Sequence, residues 1–384
     1  MLNNPPRITI LTAAIVLAGL HLCSAAGASS AQPDSAPGQA QVLDRLKADA
    51  LDRLIAAYMA KNGIPGLTAA VALDGKAVWT KGYGLADVEN SVAAGPDTMF
   101  RTCSIGKTMT ATAAMRLVEQ GKLDLDAPIQ RYCPAFPKKP WVITPRHLLT
   151  HMSGIRHYGG PRDLEEQTST FHYPNVVAAL APFKDDPLAF EPGTNFLYST
   201  YGYDVLACVI EGAAGQPFMD VIRRLVFEPA GMAHSRDDDP GLIIPGRAAG
   251  YRLVQGRLTN APHVDMSNRL GAGGFITTAS DVAAFAAMFM DGRLVSPATR
   301  DAMLTEQAMT NGDIVNYGLG WSIAETKDGR TTGEASHGGS CPGQSGLLYT
   351  YPKHRVAVVF LTNLEDAPGR FETAVAIAKV AAGF

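Results

Sequence analysis

The residues best placed to do chemistry are Ser104 and Lys107, in the run Phe100-Arg101-Thr102-Cys103-Ser104-Ile105-Gly106-Lys107-Thr108, where a turn gives way to an apolar helical stretch. Three residues apart on a helix, the two side chains share a face, so the amine reaches the hydroxyl. A serine hydroxyl is a weak nucleophile until a neighbouring base takes its proton, and a helix N-terminus favours the negative charge that develops during attack. Taken alone the tetrapeptide SxxK is common, and its bland reading is an N-cap serine with a solvated lysine. Gly106-Lys107-Thr108 also looks like the end of a phosphate-binding loop, but Arg101 stands where that loop requires glycine. Two further segments strengthen the nucleophilic reading. Tyr198-Ser199-Thr200 follows a Glu191-Pro192-Gly193 turn, and a phenol there can relay protons beside a lysine. Ser336-His337-Gly338-Gly339-Ser340 leads into a strand, and its glycines let a substrate lie close to the backbone.

These groups must be held by elements that the apolar pattern reveals. Apolar residues at 43, 46, 50, 51, 54, 55 and 58 predict a helix that Gly63 stops. Strands 67–73 and 77–83 flank Asp74-Gly75, a two-residue hairpin signal. Helices are expected over 108–120, 144–151, 204–212, 279–290 and 371–382. The 279–290 helix follows a turn at Gly271-Ala272-Gly273-Gly274. Strands are expected over 345–351 and 356–362, joined through Pro352-Lys353-His354. Helix, strands, a long helical middle, strands and a final helix make an α/β fold. Its antiparallel sheet, flanked by helices, comes from both chain ends (about 41–100 and 310–384), with a mostly helical insertion at about 101–309.

Composition bounds the partners. The 384 residues carry 33 Lys+Arg against 36 Asp+Glu, a net charge of −3. That balance argues against nucleic acid, which needs a basic face. Hydrophobic residues at 46% and charged ones at 18% give a chain that buries a core. Arg7, the apolar run Ile8–Leu20 and small residues ending in Ala26-Gly27-Ala28 read as a secretory signal over 1–28. That run is too short for a membrane span. A flexible linker follows at 29–40, then one catalytic domain over 41–384. The expected location is therefore periplasmic or secreted, with no stable membrane span once the signal is removed. Of five cysteines, Cys23 leaves with the signal, and the remaining four permit disulfides in an exported protein.

The combined motifs resemble the serine β-lactamase superfamily, in the branch of class C enzymes and penicillin-binding D,D-peptidases that also holds family VIII carboxylesterases and LACTB-like proteases. The resemblance rests on SxxK at 104–107, EQGKLDLD ending at 126, ITPRHLLTHMSGIRHY at 143–158, YST at 198–200, LGAGGF at 270–275 and HGG at 337–339. It implies that Ser104 is the acylated nucleophile, Lys107 the base or relay, and Tyr198 the donor to the leaving group. Thr200, His337, Gly339 and Ser340 are implied as substrate-binding, with the backbone N–H groups of Ser104 and Ser340 as the oxyanion hole. The chain departs from the family pattern at two points. Thr200 replaces an asparagine whose amide grips substrate, and His337-Gly338 replaces Lys-Thr, giving a third motif whose charge varies with pH near neutrality. Cysteines at matching offsets in some class A carbapenem-hydrolysing enzymes imply a Cys103–Cys341 disulfide, with two buried thiols as the open alternative. Cys133 and Cys208 read as buried apolar thiols.

Other groups carry less. His147 and His151 at i, i+4 suggest a metal face, but no Glu follows His147 and no third ligand is evident, so a structural role is expected and no metal or other cofactor is implied. Asp237-Asp238-Asp239-Pro240 lacks EF-hand spacing and reads as a solvated turn. Glu191 and Asp204 read as surface caps. No G-x-S-x-G occurs, against an α/β-hydrolase. The expectation is a serine hydrolase acting on a small-molecule or peptide substrate of amide type, such as a β-lactam or D-amino-acid peptide. The rivals are a carboxylesterase and a non-catalytic penicillin-binding module.

Overall fold

The computed structural model describes residues 43–159, 162–325 and 331–384. The signal and linker expected over 1–40 lie outside these. Two continuous apolar strands form the centre. The first, β1 (Gly66–Leu73), is joined to β2 (Lys76–Asp87) by Asp74-Gly75, both at positive φ (49° and 76°), as a two-residue hairpin turn demands. β3 is the short Val92–Ala93. Late in the chain come β4 (Ser322–Glu325), β5 (Thr331–Cys341), β6 (Gln344–Tyr351) and β7 (Val356–Thr362). They assemble into one seven-stranded sheet in the order β4-β5-β6-β7-β1-β2-β3, with antiparallel neighbours throughout.

Both faces of this sheet are covered, which is why β1 and β7 are buried along nearly their whole length and apolar at most positions rather than at alternate ones. Leu67, Ala69, Val71, Val358 and Phe360 face two terminal helices, α1 (Arg45–Asn62) and α6 (Arg370–Ala382). Ala70, Ala72, Ala357, Val359 and Leu361 face the second core, which includes α5 (Ala279–Met290). The same core encloses α2 (Gly106–Glu119), whose Met109, Ala111, Ala113, Ala114 and Leu117 are wholly buried, together with α4 (Thr200–Ala214). A helix buried on all sides is a rigid mount, and α2 carries Lys107 at its first turn. Helix α3 is the short Pro145–Leu149, opened by a capping box between Thr144 and His147.

The structure corrects four readings of the sequence. His337-Gly338-Gly339-Ser340 precedes the expected strand, β6, but is itself part of a strand, β5, where its glycines permit close packing rather than a turn. Gly271-Ala272-Gly273-Gly274 is a single helical turn at Leu270–Gly273 rather than an open turn. The 144–151 helix ends at Leu149, and His151 sits at φ +59°, so His147 and His151 do not share a helix face. Finally, Cys133 and Cys208 are not thiols but a disulfide, with Cα atoms 5.5 Å apart.

The approach that permits this last bridge comes from Gly212 on α4: a Cβ there would lie 1.8 Å from the Tyr132 carbonyl oxygen. Gly212→Ala must push the helix away from the 129–133 segment, at a cost of about 1–3 kcal/mol. Urea unfolding of the oxidised protein reads this directly, and an unchanged midpoint would contradict the packing.

Candidate active site

Ser104 sits on a one-turn 3-10 helix, Cys103–Ile105, that feeds α2. Cys103 before it takes φ +46°, a conformation uncommon for a side-chain-bearing residue, and its carbonyl lies against Gly273. Gly273 itself has φ +119°, and a Cβ there would be 1.6 Å from the Cys103 oxygen. The chain must therefore be glycine at this point for the turn to present Ser104. On its other side the turn meets β5. A Cβ on Gly339 would be 2.5 Å from the Thr102 oxygen and 3.2 Å from the Ser104 nitrogen. Gly339 is thus the residue that lets the strand lie flush on the Ser104 backbone. A disulfide between Cys103 and Cys341 ties the same two segments, with Cα atoms 5.6 Å apart. The pairing that the family resemblance implies for these two cysteines is the one present.

The register of β5 aims one more group at this place. The two-residue turn Pro342–Gly343 makes Cys341 and Gln344 a hydrogen-bonded pair, so the next pair, Ser340 with Ser345, is the open kind. The Ser340 N–H therefore points away from β6, toward the edge beside Ser104. The Ser340 side chain is engaged elsewhere: its hydroxyl donates to the Asp366 carboxylate and accepts the Asp366 N–H at 3.2 Å.

Lys107 has no exposed surface. Its Nζ lies 3.1 Å from Ser104 Oγ, 3.4 Å from Thr200 Oγ1 and 3.2 Å from the Ala272 carbonyl oxygen. Among the described residues no carboxylate lies within ion-pair distance of it. Burial pushes the amine down to about 7, the charge of Asp204 working against this and that of Arg269 with it. Tyr198 places its ring centroid 5.0 Å from Nζ, and burial raises its phenol above the ordinary range while the Ser104 hydroxyl lowers it in part. Thr200 opens α4 with Ser199 as N-cap. The structure thus brings Ser104, Lys107, Tyr198, Thr200, Gly339 and Ser340 together.

His337 is placed differently from its expectation. It is buried on β5, its Nε2 accepting from the Tyr317 hydroxyl at 2.9 Å and its Nδ1 donating to the Gly338 carbonyl at 2.8 Å, the tautomer that satisfies both. Burial, then the charge of Lys107, push it down to about 3, so it is neutral at physiological pH and the expected titration near neutrality does not occur.

His151 has the structural hydrogen-bonding role expected of it, while several other neighbours escaped the sequence reading. His151 accepts the Ser199 N–H at 3.1 Å through Nδ1, and His157 accepts the Thr200 N–H at 3.2 Å. Neutral imidazoles thereby take up the free N–H groups at the start of α4. Burial is also the main cause that lowers both, His157 to about 4, with Lys107 next. Asp204 is not a surface cap but 3% exposed, one helical turn beyond Thr200 on the face turned toward α2, and burial raises its carboxyl well above the usual range. Arg269 and Tyr158 line the same cavity as Ser104, Thr200, Gly273 and Ser340. The available signals were the i, i+4 spacing of Thr200 and Asp204, and the position of the two histidines and Tyr158 inside the 143–158 segment.

Two buried histidines, His151 and His337, and the partly buried His157 set a pH dependence. The unfolded chain binds their protons near pH 6.5, whereas the fold binds them only near 4 for His157 and 3 for His337. Stability from these groups is therefore complete above pH 6.5 and lost as pH falls toward 4 and 3. The raised Asp204 carboxyl acts in the opposite sense and offsets one of the three. The net result is a stability that falls as pH drops below 6.5. Urea midpoints at pH 7 and pH 5 measure it, and equal midpoints would contradict the neutral assignment.

The comparisons with known proteins agree with this fold. The family model described as Beta-lactamase matches residues 51–382. The mitochondrial serine beta-lactamase-like protein LACTB of Mus musculus is 31% identical over 388 residues, covering 76% of this chain and 70% of its own. Esterase EstB of Burkholderia gladioli is 29% identical, covering 76% of this chain and 83% of its own. The octameric penicillin-binding protein homologue from Pyrococcus abyssi superposes with a TM-score of 0.75 at 27% identity, over 88% of this chain and 77% of its own. With an antiparallel sheet flanked by helices and a match spanning most of its length, the chain belongs to the Beta-lactamase family of serine hydrolases.

Proposed function

We propose that this protein hydrolyses small acyl donors through an ester formed on Ser104. The observation that carries the reading is the Lys107 amine, wholly buried, 3.1 Å from Ser104 Oγ and held near neutrality. An amine that is partly unprotonated at pH 7 can take the Ser104 proton as Oγ attacks the substrate carbonyl. The N–H groups of Ser104 and Ser340 are the donors for the oxyanion, each typically worth about 3–4 kcal/mol in the barrier. Tyr198, kept protonated by burial, is a proton donor rather than a base, and it delivers the proton to the departing group as the carbonyl bond to that group breaks. Lys107 then passes the proton it took from Ser104 to the Tyr198 phenolate, and in the second half-reaction the neutral amine takes a proton from a water that attacks the ester and returns it to Ser104 Oγ as the acyl bond breaks. The chemistry needs no cofactor.

Amide donors of the β-lactam or D-amino-acid peptide type are the leading substrates. A carboxylesterase is the second reading, favoured by Thr200: its hydroxyl lies 3.4 Å from Lys107 Nζ and is committed there rather than to gripping a substrate amide. The two disulfides support export to an oxidising compartment.

A fluorophosphonate should add once, at Ser104, and Ser104→Ala should abolish both the adduct and turnover. Turnover of nitrocefin against 4-nitrophenyl butyrate separates the amide from the ester reading, and a stable penicilloyl adduct without turnover would favour a binding module. Because the neutral amine is the base, kcat/KM should fall as pH drops through about 7. A profile flat from pH 5 to 9, or labelling that survives at another residue in Ser104→Ala, would refute the assignment.

A further inference from the structure

Arg269 precedes the helical turn Leu270–Gly273 and is 6% exposed, yet it has no acidic partner within ion-pair distance among the described residues. Its Nε donates to Asn268 Oδ1 at 2.8 Å, and Nη2 donates to the carbonyls of Glu166 and Gln167 at 3.1 and 2.9 Å. Nη1 has no hydrogen-bond partner among the described residues. Glu166 and Asp204 do not neutralise it. The Glu166 carboxylate is held by both Arg156 Nη atoms at 2.7 and 2.9 Å, and Asp204 stays outside ion-pair range.

The guanidinium lies over the ring of Tyr158, 5.3 Å from its centroid. The Tyr158 hydroxyl is itself buried and without a partner among the described residues. Both residues line the cavity that reaches Ser104, Thr200 and Ser340. One charged donor whose Nη1 is free and one neutral donor without a partner, among the described residues, therefore border the space beside Ser104. Leaving a buried guanidinium without an anion is costly, and a planar carboxylate matches its fork.

We infer that Arg269 and Tyr158 form a carboxylate-recognition subsite, so that this enzyme acts on acyl donors bearing a carboxylate. The inference rests on the reading of Ser104 as the acylated residue. The carboxylate belongs either to the acyl part or to the leaving group, and two matched pairs distinguish these. The mono-4-nitrophenyl ester of glutaric acid against 4-nitrophenyl butyrate tests the acyl part. N-acetyl-D-alanyl-D-lactate against its methyl ester tests the leaving group.

In the wild-type protein the anionic member of at least one pair should be preferred by about tenfold or more in kcat/KM. Arg269→Gln should abolish that preference, Arg269→Lys should keep part of it, and Tyr158→Phe should reduce it severalfold. Because the readout is a ratio within each variant, a general loss from disturbing the 166–167 segment cancels. Equal or better turnover of the neutral member in both pairs, or a preference that persists in Arg269→Gln, would overturn the subsite while fluorophosphonate labelling of Ser104 in the wild type left the earlier reading standing. Absence of that labelling would overturn both.

Discussion

An ammonium taken out of water with no carboxylate beside it costs several kcal/mol, and the placement of Lys107 forces the protein to answer that cost. It does so by letting the proton go. The amine is ringed by acceptors, the Ser104 and Thr200 hydroxyls and the Ala272 carbonyl, that hold its position whether or not it is charged. Complete burial and the positive charge of Arg269 then favour the neutral form. The base and the nucleophile of the proposed reaction both follow from the same constraint, an amine held near neutrality within reach of the Ser104 hydroxyl. The lowered basicity of His151, His157 and His337 has the same main cause, loss of solvation.

The fold exists around that point as a convergence of three distant pieces of chain. The 3-10 turn and α2 bring Ser104 and Lys107. Helix α4 brings Thr200, with Tyr198 just before it, and β5 brings the Ser340 N–H. Two glycines set how near the pieces come: Gly273 against the Cys103 carbonyl and Gly339 against the Thr102 carbonyl. The Cys103–Cys341 disulfide crosses 238 residues of sequence to join the nucleophile turn to the strand. It replaces a long loop closure with a covalent tie where a small displacement would separate the proposed nucleophile from the proposed oxyanion donors.

Much of this is legible in the amino-acid sequence. Helix 279–290 and strand 356–362 are bounded as their apolar patterns predict, because both are buried runs ended by turn residues. The residues around Lys107 are legible through the motif set. What escapes reading are positions whose role is set by tertiary neighbours. His337 looks like a titrating third-motif residue, but its partner Tyr317 and its burial are invisible in sequence. Cys133 and Cys208 look like thiols because nothing local reveals that Gly212 draws α4 onto Tyr132. Asp204 looks like a cap because a carboxylate on a helix is usually solvated, and only packing of α4 against the lysine helix shows otherwise.

The central claim is that Lys107 is substantially unprotonated at neutral pH in the resting protein. It is tested most directly by titrating the protein with 13C at the lysine ε-carbons, following the chemical shift by NMR and assigning Lys107 as the signal absent from Lys107→Arg. The account predicts one lysine that titrates near pH 7, well separated from the solvated lysines above 10. A Lys107 signal that stays protonated up to pH 10 would contradict it.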